Sequence, residues 1–189
     1  VMTSTDNDFI IPFDKYVLYV GDRAGYKNFN LFISAMAPLL KKRSDISLVC
    51  LGGGPFGCSE KELFYRQGIN TEQVHQLSVT DNQLKAFYKK ALLFVYPSLY
   101  EGFGLPLLEA FANNCPIATS NTSCFPEVGG DAVVYFNPYD PDDIRSTVES
   151  VISNPVLADH LRLLGSQQLK KFSMETCMDK TQSVYKMFV

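Results

Sequence analysis

One pattern constrains this chain more than any other: short strand-like runs alternate with longer amphipathic stretches. Six runs rich in β-branched and aromatic residues lie at 16–20, 47–51, 74–77, 92–96, 116–120 and 132–136. Between and after them, the stretches at 28–42, 60–68, 81–90, 106–113, 142–153, 158–171 and 175–187 carry apolar residues at helical spacing. Strands joined by helices of this length pair in parallel, because each helical crossover returns the chain in the same direction. Runs such as ALLFVY are apolar on both sides and need a helical layer over each face. The expected fold is therefore α/β, a Rossmann-like doubly wound parallel sheet of about six strands. Ligands on such sheets bind beyond the carboxyl ends of the strands, so the loops opening at Gly21, Gly52, Ser78, Pro97 and Ser120 carry the candidate chemistry.

A chain of 189 residues, 46% of them apolar, suits one core of this kind. The net charge is -3 with Lys and Arg scattered, so no basic stripe fits a nucleic acid backbone. The longest apolar runs, such as 91–96, fall far short of a transmembrane segment, and the opening VMTSTDND is polar. A cytoplasmic setting is expected, and five cysteines without a CxxC pair fit reduced thiols there. Two histidines, neither near a Cys pair or a helical Glu, give no reason to assign a metal. Residues 1–14 read as the tail of a linker and 15–189 as the domain.

Three constellations could carry chemistry. GGGPFG at 52–57 matches the dinucleotide fingerprint after a strand, with Glu72 as a distant acid. Glu72 precedes the strand at 74–77, whereas a dinucleotide site needs its acid at the far end, and Pro55 lacks a backbone donor. The run reads as a tight turn or as a glycine floor beneath a phosphate group. The second constellation, YVGDRAGYKNF, puts Gly21, Arg23, Lys27 and Asn28 directly after the first strand. Arg can grip two phosphate oxygens and Lys supplies a mobile charge, so the set is either a diphosphate clamp or a solvated loop.

The third constellation is PSLYEGFGLPLLEAF at 97–111. Pro106 suits a first helical turn, which leaves Glu101 on the loop and puts Glu109 inside the helix. The amides of Phe103, Gly104 and Leu105 then open a helix amino end, where an anion is favoured. Gly102 and Gly104 admit a ligand without side chains in its way. A carboxylate at an anion site would repel phosphate unless it held hydroxyls, so the combination suits a sugar phosphate. DPDD at 140–143 precedes an amphipathic helix and reads as its cap rather than as a metal-binding element.

On these motifs the chain, from Tyr16 to Tyr185, resembles the retaining, metal-independent nucleotide-sugar glycosyltransferases of family four. The resemblance implies one half of a GT-B architecture, the carboxyl-terminal donor domain, with the acceptor domain absent from this chain. It implies that Glu101 meets the donor sugar hydroxyls and Glu109 the nucleotide ribose. Arg23 and Lys27, beside Gly21, would hold the diphosphate, and Phe103 to Leu105 would offer backbone donors. Many relatives place the arginine directly after the first glycine, where this chain has Asp22. The implied partners are a nucleotide sugar, with GDP-mannose slightly preferred over UDP sugars, and a glycan or lipid-linked acceptor. No cofactor is implied, and the full-length protein would be cytoplasmic or peripheral at the inner membrane. A donor domain alone would bind donor but transfer negligibly. A glycoside hydrolase using both glutamates, a non-catalytic nucleotide-sugar sensor and a sugar-nucleotide epimerase are the alternatives.

Overall fold

The computed structural model describes residues 10–188. Its six strands form one parallel sheet: β1 (Tyr16–Val20), β2 (Ser47–Leu51), β3 (Val74–Leu77), β4 (Leu93–Tyr96), β5 (Ile117–Ser120) and β6 (Val134–Phe136). The order across the sheet is β3-β2-β1-β4-β5-β6. The chain winds outward from β1 to β3, then returns to place β4 on the other side of β1, with Val17 opposite both Leu48 and Leu93. That reversal opens a crevice between the carboxyl ends of β1 and β4, the usual ligand position on such a sheet.

Connecting and closing the sheet are α1 (Phe29–Lys42), α2 (Cys58–Arg66), α3 (Asp81–Lys90), α4 (Leu105–Ala112), α5 (Phe125–Gly129), α6 (Pro141–Ile152), α7 (Pro155–Leu169) and α8 (Met174–Lys186). The pleat sends alternate strand residues to opposite faces. Tyr16 and Leu18 join Phe94, Phe87 of α3, Leu107 of α4 and Phe125 of α5 in one apolar cluster. Val17 and Tyr19 join Leu48, Val95, Phe32 of α1 and Val148 of α6 in the other. Burying a side chain of this size contributes about 1.5–3 kcal/mol, which explains why neither face can be left bare.

Local signals set the helix starts. Thr80 and Gln83 form a reciprocal capping box at α3. Asp140 Oδ1 accepts from the amides of Asp142 and Asp143 at 2.9 and 3.2 Å, so DPDD is the cap of α6. Asn154 caps α7 by accepting from the Leu157 amide, which starts that helix at Pro155 rather than at 158. The short α5 lies where no helix was expected. Ile11 is buried in the core and the Phe13 ring lies 4.5 Å from that of His75, so the end of the expected linker packs on the domain. Residues 1–9 of that segment lie outside the described residues. Among the described residues no helix is long and apolar enough to cross a membrane.

Candidate functional site

The crevice between β1 and β4 joins the second and third constellations. Lys27 ends a 3-10 turn (Gly25–Lys27) after β1, and Glu101 lies in the loop after β4. Their side chains form an ion pair at 2.7 Å and are 16% and 13% exposed, so water screens the pair little. The two loops are tied by the Leu99 amide, which donates to the Tyr26 carbonyl at 2.8 Å. Gly21 turns the chain at the end of β1 with φ +122, a conformation that side chains resist, and its amide donates to the Leu51 carbonyl at 2.9 Å.

Glu101 is fixed from three sides. Besides Lys27, its carboxylate accepts a hydrogen bond from the Tyr96 hydroxyl; burial first, and then this bond, hold that phenol protonated well above its ordinary range. Its backbone is pinned by Ser123, whose hydroxyl accepts from the Glu101 amide at 3.2 Å and donates to the Glu101 carbonyl at 2.8 Å. Thr122 Oγ1 donates to the Leu99 carbonyl at 3.0 Å, bracing the same loop. Neither Ser123 nor Thr122 was singled out from the sequence. The signal was the polar run SNTS at the carboxyl end of β5, beginning at the flagged loop.

Gly104 caps α4 in the left-handed region with φ +85. The amides of Phe103, Gly104 and Leu105 have no partner among the described residues, which leaves a helix amino end open to an anion. The side chains of Phe103 and Leu105 are exposed, the Phe103 ring standing edge-on to Phe172 at 6.0 Å. Glu109, further along α4, accepts from the Tyr88 hydroxyl at 3.1 Å. It borders a hollow of about 340 Å³ between α3 and α4, beside Asp81, Lys85 and Asn113. A second hollow of about 310 Å³ is lined by Gly21, the Gly52 to Gly54 run, Ser78 and Val79, and Leu84 borders both.

Arg23 departs from the expected clamp. Its guanidinium lies against the β2–α2 turn, donating to Glu60 at 2.6 Å and to the carbonyls of Gly52 and Gly54 at 2.8 Å each. The reason is a matched set of acceptors: backbone oxygens and a carboxylate satisfy the planar fork there. Gly21, Lys27 and Glu101 therefore meet at the β1/β4 crevice, the 103–105 amides follow Glu101 along the same loop, and Glu109 faces the hollow on the α3 side. Glu72 lies in a 3-10 turn ahead of β3, at the opposite edge of the sheet, so the dinucleotide reading has no acid in place.

A parallel sheet of this order, with a cation, a carboxylate and an open helix end over its switch point, defines a Rossmann-like domain of the kind that builds GT-B glycosyltransferases. The chain belongs to the family described as glycosyl transferases group 1, whose model matches residues 6–167. It is 33% identical over 175 residues to O-antigen chain mannosyltransferase B of Escherichia coli, covering 91% of this chain and 46% of that protein. It is 31% identical over 151 residues to O-antigen chain mannosyltransferase RfbU of Salmonella typhimurium, covering 79% of this chain and 42% of that protein. The chain thus spans less than half the length of either curated relative. Among solved structures, the C-terminal domain of a glycosyl transferase group 1 family protein (LpcC) from Francisella tularensis superposes with a TM-score of 0.71 at 25% identity, covering 84% of this chain and 86% of that one.

Proposed function

We propose that this chain is the donor-binding domain of a glycosyltransferase that takes its sugar from a nucleoside diphosphate, with GDP-mannose ahead of UDP sugars. The observation that carries this reading is the Lys27–Glu101 pair, 2.7 Å apart at the β1/β4 crevice and close in sequence to the open amino end of α4. The two O-antigen mannosyltransferases among the relatives support mannose as the sugar.

In the reaction the bond between the sugar's anomeric carbon and the diphosphate oxygen breaks, an acceptor hydroxyl oxygen bonds to that carbon, and its proton passes to the departing diphosphate. Positive charge builds on the ring and negative charge on the departing diphosphate. Lys27 and the amides of 103–105 are suited to stabilise that negative charge, because fixed charges and dipoles in a shielded crevice need little reorganisation. In this reading Lys27 and these amides stand where a metal would otherwise offset the diphosphate charge. Glu101 would hold the sugar hydroxyls and Glu109 the ribose, with Tyr88 keeping the Glu109 carboxylate oriented. Retention of anomeric configuration is part of the proposal. Acceptor binding, to a glycan or a lipid-linked saccharide, is assigned to the half of the relatives that this chain does not span, so transfer by this chain alone is expected to be negligible.

The two glutamates have separate partners, Lys27 and Tyr96 for one and Tyr88 for the other, which favours this reading over a hydrolase with paired carboxyls. A thermal-shift panel of GDP, UDP and ADP tests it. At a hundredfold excess over Kd a ligand adds about 2.7 kcal/mol, or roughly 5–10 °C in a domain of this size. The expected result is a clear shift with a nucleoside diphosphate, largest with GDP; equal and negligible shifts with all three would sink the proposal.

A further inference from the structure

All three nitrogens of the Arg23 guanidinium donate to the β2–α2 turn or to Glu60 just after it. Nε donates to Glu60 Oε1 at 2.6 Å and Nη1 to the Gly52 carbonyl at 2.8 Å. Nη2 reaches the Gly54 carbonyl at 2.8 Å and those of Gly53 and Pro55 at 3.3 Å. The guanidinium carbon lies 4.8 Å from the Phe56 ring centroid and 5.6 Å from that of Phe29, and the side chain is 5% exposed. Glu60 completes the brace by accepting from the Gly57 amide at 2.7 Å.

The turn held in this way has an unusual form. Gly52, Gly53 and Gly54 take φ values of +91, +68 and +68, all in the left-handed region. A Cβ on Gly53 would fall 2.6 Å from Arg23 Nη1, so a side chain there would displace the guanidinium as well as strain the backbone at φ +68. Gly53 borders the hollow on the Arg23 side, beside Asp22 and Glu60, and also the hollow of about 310 Å³ lined by Gly21, Ser78 and Val79. The turn is a wall one backbone thick between the two. The amides of Gly53 and Gly54 have no partner among the described residues.

We infer that Arg23 is a positioning residue for the donor site: it draws the carbonyls of residues 52–55 to its own side and so fixes a side-chain-free wall against which the nucleoside part of the donor lies. This rests on the donor-binding reading above. Arg23 thus acts through the glycine turn and touches neither phosphate nor sugar.

Calorimetry on this chain with a nucleoside monophosphate and the matching diphosphate separates the roles, alongside hydrogen exchange of residues 52–57. Arg23→Gln, Glu60→Gln and Gly53→Ala are each expected to weaken both ligands by the same factor, about tenfold, and to speed exchange in the turn but not in β1. Arg23→Gln with Glu60→Gln is expected to be no weaker than Arg23→Gln alone, because both remove one brace. Arg23→Lys keeps the charge without the fork and is expected to behave like Arg23→Gln. Lys27→Met, in contrast, lowers the diphosphate-to-monophosphate ratio. Loss confined to the diphosphate in Arg23→Gln would make Arg23 a phosphate ligand and overturn the inference. Unchanged affinity and exchange in Arg23→Gln, with the unaltered chain binding normally, would overturn the inference alone. Absence of nucleotide binding by the unaltered chain would overturn the donor reading and the inference with it.

Discussion

Lys27 and Glu101 lie 74 positions apart in sequence, yet their side chains neutralise each other in the crevice. This pairing gives the two substitutions opposite signatures. Lys27→Met removes the cation and leaves the Glu101 carboxylate uncompensated, so nucleoside diphosphate affinity is expected to fall by about 1.5–3 kcal/mol, or ten- to a hundredfold. Glu101→Gln frees Lys27 from its competitor, so affinity for the bare diphosphate is expected to hold or rise. The extra affinity conferred by an attached sugar is expected to vanish. Calorimetry with a nucleoside diphosphate and its sugar conjugate reads both effects, and wild-type binding by Lys27→Met would remove Lys27 from the site. Their shared position was legible because both loops follow recognisable strands that a doubly wound sheet sets side by side. The direction of the Arg23 side chain was not legible, because it is set by acceptors on the 52–55 turn and by Glu60, contacts between distant segments that spacing along the chain does not encode.

Elements were easier to read than side-chain directions, because periodicity is local and tertiary contact is not. The strands at 16–20, 47–51 and 74–77 have the expected bounds, while α4 is shifted by one residue and the ends of α7 by two or three, where caps decide them. The five-residue α5 was not expected, since a helix that short carries no periodic signal and depends on its neighbours. One of those neighbours, α7, also crosses α4 with Gly165 against Phe111. A Cβ at Gly165 would fall 2.6 Å from the Phe111 ring, although its backbone conformation is one any residue accepts. Gly165→Ala would gain roughly 1 kcal/mol of helix propensity in an open helix. Here overpacking of about 1–3 kcal/mol is expected to outweigh that gain, lowering Tm by a few degrees. Because Phe111 belongs to the helix whose amino end forms the site, donor affinity is expected to weaken in parallel. A Tm at or above that of the unaltered chain would show that the two helices can part without cost.

At the scale of the whole molecule, the core encloses four tyrosines, Tyr16, Tyr19, Tyr88 and Tyr96, and this ties its stability to alkaline pH. Burial raises the phenols of Tyr16, Tyr19, Tyr88 and Tyr96 far above their ordinary value of 10.0. It pushes Tyr135 and the Cys115 thiol up to about 12, the thiol from an ordinary 9.0. In the unfolded chain these groups release protons near pH 9 to 10, while in the folded chain they keep them, so the native state binds more protons there. Stability is then complete below the unfolded values and falls as pH rises through the window up to the folded ones. Tm is expected to be level near neutrality and to drop steadily from about pH 9. Tyrosinate absorbance from the buried rings is expected to appear together with loss of structure rather than before it. Tyr96 links this behaviour to the site, since its phenol donates to Glu101; nucleotide binding should protect its proton and move the alkaline transition upward. Early ionisation of the buried tyrosines in a chain that remains folded would contradict both the packing and this coupling.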